Sequence, residues 1–265
     1  MQQRPTPHVM GIVNVTPDSF FAGARTEEID DAIARGSELF DLGAAIVDVG
    51  GESSRPGATP VDEAIEIARV IPVIQALSSR GRVSVDTVKP GVARAAVEAG
   101  ATLINDVSGT LAPIAAETRV AWVAMHAQGT PQTMQENPAY GDVVAEVSSW
   151  LRTKAEEAHG LGISELWLDP GIGFGKTQDH NWSLLRHADR LAALCAEYGA
   201  KLLVGTSRKR FLEGTEGSEI EVDDRLAGSL ATAIVAMEGG ADMVRVHDVL
   251  ATVQAARLMT EEMVA

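Results

Sequence analysis

The sequence predicts a single-domain α/β protein of the (β/α)8 TIM-barrel class, and three observations predict it. Short β-rich runs alternate with longer amphipathic stretches eight times over about 250 residues. Most of the short runs are continuously apolar, as expected for parallel strands buried on both faces. No linker, charge block or low-complexity segment interrupts the 265 residues, which are 45% hydrophobic, so residues 1–265 are read as one domain. The alternative architecture is an open doubly wound sheet.

The first strand, 9–13, leaves through Asn14 into NVTPDSFFAGARTEE, a loop whose adjacent Phe20 and Phe21 need a cover. The next stretch, TEEIDDAIARGSELFDLG, reads as a helix with Thr26 as cap, acidic residues behind it and Gly43 as its stop. Strand 45–49 runs into DVGGESSRPGA, and strand 83–86 ends at Asp86 before the Pro90-initiated helix PGVARAAVEAG. Strand 103–107 carries Asn105 and Asp106, and strand 121–125 runs into His126. The helix DVVAEVSSWLRTKAEEAHGLG leads to strand 166–169, which ends in Asp169 and the loop DPGIGFGK. One continuous helix, HNWSLLRHADRLAALCAEYG, follows. Strand 202–205 runs into GTSRKRF, and DDRLAGSLATAIVAMEGG leads to strand 243–246 with Arg245 and His247 at its end. Several helices stop at a Gly-Ala pair just before the next strand, a helix stop and chain return.

Composition narrows the function. Thirty-seven acidic against 22 basic residues give a net charge of −15. That argues against nucleic acid and anionic membrane as partners. An anionic ligand would need local positive charge. The single cysteine, Cys195, excludes an internal disulfide and a cysteine-rich metal site, and reads as a buried small hydrophobe in a helix over 191–198. The N-terminal stretch lacks a signal-peptide core, and no run reaches the roughly 20 apolar residues of a membrane span. The expectation is a cytoplasmic protein.

In such barrels the chemistry sits at the C-terminal ends of the strands. Asp86, Asn105 and Asp169 form a first group there. Two carboxylates and a carboxamide suit a heterocycle bearing N–H and C=O groups. A metal pair is the competing functional reading. Arg55, Lys209, Arg245 and His247, with Asn14 beside them, form a second group suited to phosphate or diphosphate. The bland alternative is that Arg55 and Lys209 are solvated loop charges. Asn14 would orient a divalent cation held mainly by the diphosphate. Asp106 and Asp248 are better explained as helix caps. DPGIGFGKT does not have phosphate-loop spacing, and its glycines instead allow a tight loop that places Phe174 near the cavity.

The stretches MGIVNVTPDSF, VDVGGESSRPGATPV, VSVDT, INDVSG, MH, LDPGIGFGKT followed by HN, VGTSRKRFL and VRVHDV run from Met10 to Val249. In order and content they resemble the dihydropteroate synthase family. The resemblance implies a homodimeric barrel that joins 6-hydroxymethyl-7,8-dihydropterin diphosphate to p-aminobenzoate, with Mg2+ as cofactor and no other partner than these small molecules. Carried over by motif, Asp86, Asn105, Asp169 and Lys209 would bind the pterin. Asn14, Ser54, Arg55, Arg245 and His247 would hold the diphosphate, with Asn14 also meeting Mg2+. Phe20, Arg55, Pro56, Phe174, Lys209 and Arg210 would border the p-aminobenzoate pocket, and Arg55, Lys209, Arg245 and His247 would carry catalysis. Three positions depart from the family pattern: Ala22 where a loop Asp is usual, Ile172 for a Phe, and Arg210 for a Ser. Two other functions share a pterin site: a methyltransferase serving a corrinoid protein, and a non-catalytic pterin-binding paralogue. The diphosphate-type residues Arg55, Arg245 and His247 argue against the first, and Ala22 is the one feature favouring the second.

Overall fold

A computed structural model describes residues 5–15, 22–53, 57–130, 132–213 and 220–260, with the side chains of 22–27, 223 and 260 left out. Eight parallel strands close into a barrel in chain order: β1 (His8–Asn14), β2 (Ile46–Gly50), β3 (Arg82–Asp86), β4 (Leu103–Asp106), β5 (Ala121–Met125), β6 (Leu166–Asp169), β7 (Lys201–Val204) and β8 (Met243–Val246). β8 pairs back onto β1, so the doubly wound alternative is excluded. The helices are α1 (Ala22–Asp41), α2 (Glu63–Leu77), α3 (Pro90–Glu98), α4 (Ala112–Thr118), α5 (Val143–Gly160), α6 (Gln178–Arg186), α7 (Ala188–Glu197), α8 (Leu226–Glu238) and α9 (Val249–Thr260).

Strand side chains alternate between two cores. Val47, Val49, Val83, Val85, Ile104 and Leu168 point outward into a helix-facing layer. Met10, Ile46, Leu103, Val123, Trp167, Leu203 and Met243 point inward and plug the barrel. Each large buried side chain contributes roughly 1.5–3 kcal/mol. Below the plug, Arg82 clasps Glu165 with two hydrogen bonds of 2.8 Å, and Trp167 Nε1 donates to the same carboxylate at 2.8 Å. The N-terminal end of the barrel is therefore closed, and the next inward positions toward the C-terminal end are free for polar groups.

The Gly-Ala pairs act as the sequence predicts. Gly43, Gly100, Gly199 and Gly240 all adopt positive φ. The following alanine N–H then reaches back to the helix: Ala44 to Leu39 O, Ala101 to Ala96 O, Ala200 to Cys195 O and Ala241 to Ala236 O, each at 2.9 Å. A left-handed residue returns the chain toward the next strand while satisfying a last-turn carbonyl.

Two helix expectations need correction. α1 begins at Ala22, so Thr26 lies inside the helix rather than capping it. The stretch 180–199 is two helices, α6 and α7, broken at His187. His187 leaves helical geometry (φ −112°, ψ 25°), and its ring Nδ1 lies 2.8 Å from Ser183 O. Cys195 is buried within α7, and burial pushes its thiol up to about 12, which leaves it a packing residue. Among the described residues no helix is long and apolar enough to cross a membrane.

Candidate active site

Every strand-borne site residue singled out from the sequence falls on the inward face. The register pairs Asn14 with Gly50, Gly50 with Asp86, and Asp86 with Asn105. Met125 pairs with Asp169, and Arg245 with Met10. Period-two alternation from the plug residues Met10, Ile46, Leu103, Trp167 and Met243 leads to these positions on the same face.

A charge network crosses the barrel above the plug. Arg245 Nε donates to Asp48 Oδ2 at 2.6 Å, and Arg245 Nη2 donates to Asp86 Oδ2 at 2.7 Å. Asn105 Nδ2 donates to the same Asp48 oxygen at 2.9 Å. Asp169 Oδ1 accepts from Gly171 N at 2.7 Å. These contacts occupy one oxygen each of Asp86 and Asp169, and among the described residues no three His, Cys, Asp or Glu side chains come together as a metal-ligand set. Burial pushes the Asp86 carboxyl up to about 7; Arg245 opposes this, and Asp48, Glu66 and Asp106 add to it. Asp169 is also raised by burial, against the pull of Lys209. Arg245 stays cationic, because Asp48 and Asp86 outweigh the cost of its burial.

Lys209 reaches this site from the loop after β7. Its Nζ donates to Ile172 O and lies 4.7 Å from the centre of the Phe174 ring. Gly205 lies beside both groups: a Cβ there would sit 3.7 Å from Lys209 Nζ and from Arg245 Cβ, at ordinary contact distance. Burial lowers the Lys209 ammonium to about 8, with Asp169 holding it up. Lys209 is thus no solvated loop charge. At the end of β8, His247 Nδ1 and Ser207 Oγ are 3.0 Å apart, and Arg208 pairs with Asp248 at 2.8 Å and 3.1 Å.

The loop after β6 puts Phe174 beside Lys209, as its glycines suggest. Gly171, Gly173 and Gly175 all have positive φ. A Cβ on Gly171 would lie 1.7 Å from His126 O, and one on Gly175 would lie 2.3 Å from Gln128 O. Beneath the loop, Lys176 is buried. Its Nζ is 2.9 Å from His126 Nδ1 and donates to Phe174 O at 3.1 Å. Burial drives Lys176 down to about 7 and, aided by Lys176, His126 down to about 3.

Not every expected residue joins the cavity. Arg210 is turned to solvent, its side chain 89% exposed and 3.6 Å from Glu213. Asn14 is exposed at the end of β1. Phe20, Ser54, Arg55 and Pro56 lie outside the described residues, as does the side chain of Ala22. Asp106 holds the start of α4 as expected, whereas the Asp248 carboxylate pairs with Arg208 in place of the expected side-chain cap. Asp106 accepts from Ser108 N, Leu111 N and Trp122 Nε1. Asp248 caps α9 through its carbonyl, while its carboxylate pairs with Arg208. One member of the network, Asp48, escaped the sequence reading. Its signal was a carboxylate in the middle of the apolar strand IVDVG, two residues from Ile46 and therefore inward-facing.

Comparison with known proteins agrees with this geometry. The family model described as pterin binding enzyme matches residues 10–247. The dihydropteroate synthase of Escherichia coli K12 is 46% identical over 96% of this chain and 90% of its own length. That of Mycobacterium leprae is 43% identical over 95% and 92%. Among solved structures, the Xanthomonas albilineans dihydropteroate synthase with 4-aminobenzoic acid superposes with a TM-score of 0.85 at 45% identity, covering 96% of this chain and 92% of that one. The Yersinia pestis dihydropteroate synthase in a sulfonamide drug complex gives 0.86 at 39% identity, covering 96% and 93%. The chain belongs to the pterin-binding enzyme family and, within it, to the dihydropteroate synthases.

Proposed function

We propose that this chain condenses 6-hydroxymethyl-7,8-dihydropterin diphosphate with p-aminobenzoate, releasing diphosphate and 7,8-dihydropteroate, at the inward-facing cavity above the barrel plug. The observation that carries this reading is the Asp48–Arg245–Asp86 network with Asn105, Asp169 and Lys209 around it. It offers acceptors and donors for a flat amide-bearing ring, and cations for its departing tail.

In this reading Asp86, Asn105, Asp169 and Lys209 meet the pterin. A carboxylate matches the edge of a ring that presents two N–H groups side by side. Arg245 and His247, with Ser54 and Arg55, receive the diphosphate. Phe20, Pro56, Arg55, Lys209 and Phe174 border the aniline. The bond between the pterin methylene carbon and the diphosphate oxygen breaks first, its electron pair leaving with the diphosphate. The ring stabilises the resulting methylene cation. The aniline nitrogen lone pair then forms the new C–N bond, and that nitrogen loses a proton to water. Arg245 and His247 stabilise charge that builds on the leaving oxygen, which is electrostatic catalysis with no covalent enzyme intermediate.

Mg2+ fits this site as a cofactor held mainly by substrate. Asn14 supplies a hard carboxamide oxygen at the rim, and Mg2+ commonly takes few protein ligands beside phosphate oxygens and water. When bound it would neutralise charge on the diphosphate. The resemblance also implies a homodimer, and the face proposed for it is the mainly apolar groove between α8 and α9, lined by Leu230, Ile234, Ala251, Gln254, Ala255, Leu258 and Met259, with Leu250 exposed on α9. The cytoplasm is the compartment proposed for it, and the whole chain would act as one domain.

A diphosphate-release assay with the pterin substrate, Mg2+ and p-aminobenzoate tests it. Release that depends on all three, with matching dihydropteroate formation, is the expected result. Tight pterin binding without turnover would favour the non-catalytic paralogue, and methyl transfer to a corrinoid would favour the methyltransferase.

A further inference from the structure

Asp48 lies at the centre of the network yet is assigned no part in the chemistry described so far. It is fully buried on β2, in the layer directly above the plug. A single oxygen, Oδ2, accepts from both Arg245 Nε and Asn105 Nδ2, at 2.6 and 2.9 Å. The other oxygen, Oδ1, is buried without a partner among the described residues, as is Ser84 Oγ at the paired position on β3. Burying a carboxylate with an unmatched oxygen is costly, and a packed apolar residue would serve stability at least as well.

The contacts have directional consequences. A carboxylate is acceptor-only, so the Asn105 carboxamide must turn its NH2 toward Asp48. Its oxygen is then committed to the other side. Arg245 is held through Nε by Asp48 and through Nη2 by Asp86, which fixes the plane of the guanidinium. We propose that Asp48 is the positioning residue of this active site, fixing Asn105 as an acceptor toward the pterin and Arg245 in the orientation that receives the diphosphate. The inference rests on the function proposed above and adds a donor requirement: the ring edge facing Asn105 offers an N–H.

The test exchanges the two groups. Asn105→Asp would set two carboxylates against each other and is expected to weaken pteroic acid binding about 10–100-fold, the range of a hydrogen bond to a charged group. Adding Asp48→Asn restores a donor–acceptor pair in reverse while keeping an acceptor toward the ring. The double variant is expected to regain about tenfold of the lost affinity. A double variant no better than Asn105→Asp would overturn the proposal. The isosteric single variant Asp48→Asn guards against misfolding of the others. It keeps the shape but removes a charge that raises the Asp86 carboxyl, so the acidic limb of the kcat/KM–pH profile should move to lower pH. Unchanged kcat/KM and an unmoved limb would also overturn it. Wild type inactive in the diphosphate-release assay would instead strike at the functional reading itself.

Discussion

At the scale of single residues, the site depends on charges held away from water at unusual protonation. Arg245 touches two carboxylates and is the central cation of the proposed leaving-group site. Arg245→Ala should lower kcat by about 10²–10³-fold, the loss typical of one electrostatic stabiliser, and steady-state turnover measures it. A change of only a few-fold would remove its assigned role. The pH profile follows from the neighbours. Asp86 becomes an anion as pH rises through about 7, and Lys209 loses its charge as pH rises through about 8. If both charged forms are needed, kcat/KM climbs through the first value and falls past the second, giving a bell with its top between them. Lys209→Arg should flatten the alkaline fall, because guanidinium does not titrate there.

Among elements, the loop between β6 and α6 is tightly specified. Three left-handed glycines and the buried Lys176 carry Phe174 and the Ile172 carbonyl to Lys209. Lys176 is kept below its usual range by burial, so its folded-state value of about 7 lies under the 10.5 of the unfolded chain. Between these values the unfolded chain binds a proton that the folded one does not. Wild-type stability should therefore rise with pH relative to Lys176→Met, by about 1.4 kcal/mol per unit across that window, and fall as pH drops to 7. Chemical denaturation of both proteins from pH 7 to 10 checks the slope. Strand positions were legible in the sequence because parallel strands buried on both faces read as apolar runs. The helices α2 and α4 did not stand out. α2 carries Pro72 in its interior, and α4 has only seven residues. The break at His187 was hidden because the apolar period continues across it. Asp48 was missed because one acid inside IVDVG looks like noise until the strand's inward face is known.

For the whole molecule, the barrel places an apolar plug and the Arg82–Glu165 clasp at one end, and the polar network at the other. Trp167→Ala in the plug should cost about 3–5 kcal/mol by denaturant unfolding. The homodimer is tested by sedimentation equilibrium at micromolar concentration. Wild type should sediment as a dimer, and Leu258→Asp, on the exposed face of α9, should shift it toward monomer. The motifs made the site legible across this scale, since they mark the mouth of every strand. Ser54 and Pro56 were legible only by resemblance, and so were the substrate contacts of Phe20 and Arg55, because spacing alone does not say where a long loop folds. The most direct test of the account is a crystal structure with dihydropterin diphosphate and Mg2+ bound. The ring should lie against Asp86, Asn105 and Asp169, with the diphosphate at Arg245 and His247. A ring bound elsewhere, or a diphosphate turned away from Arg245, would contradict it.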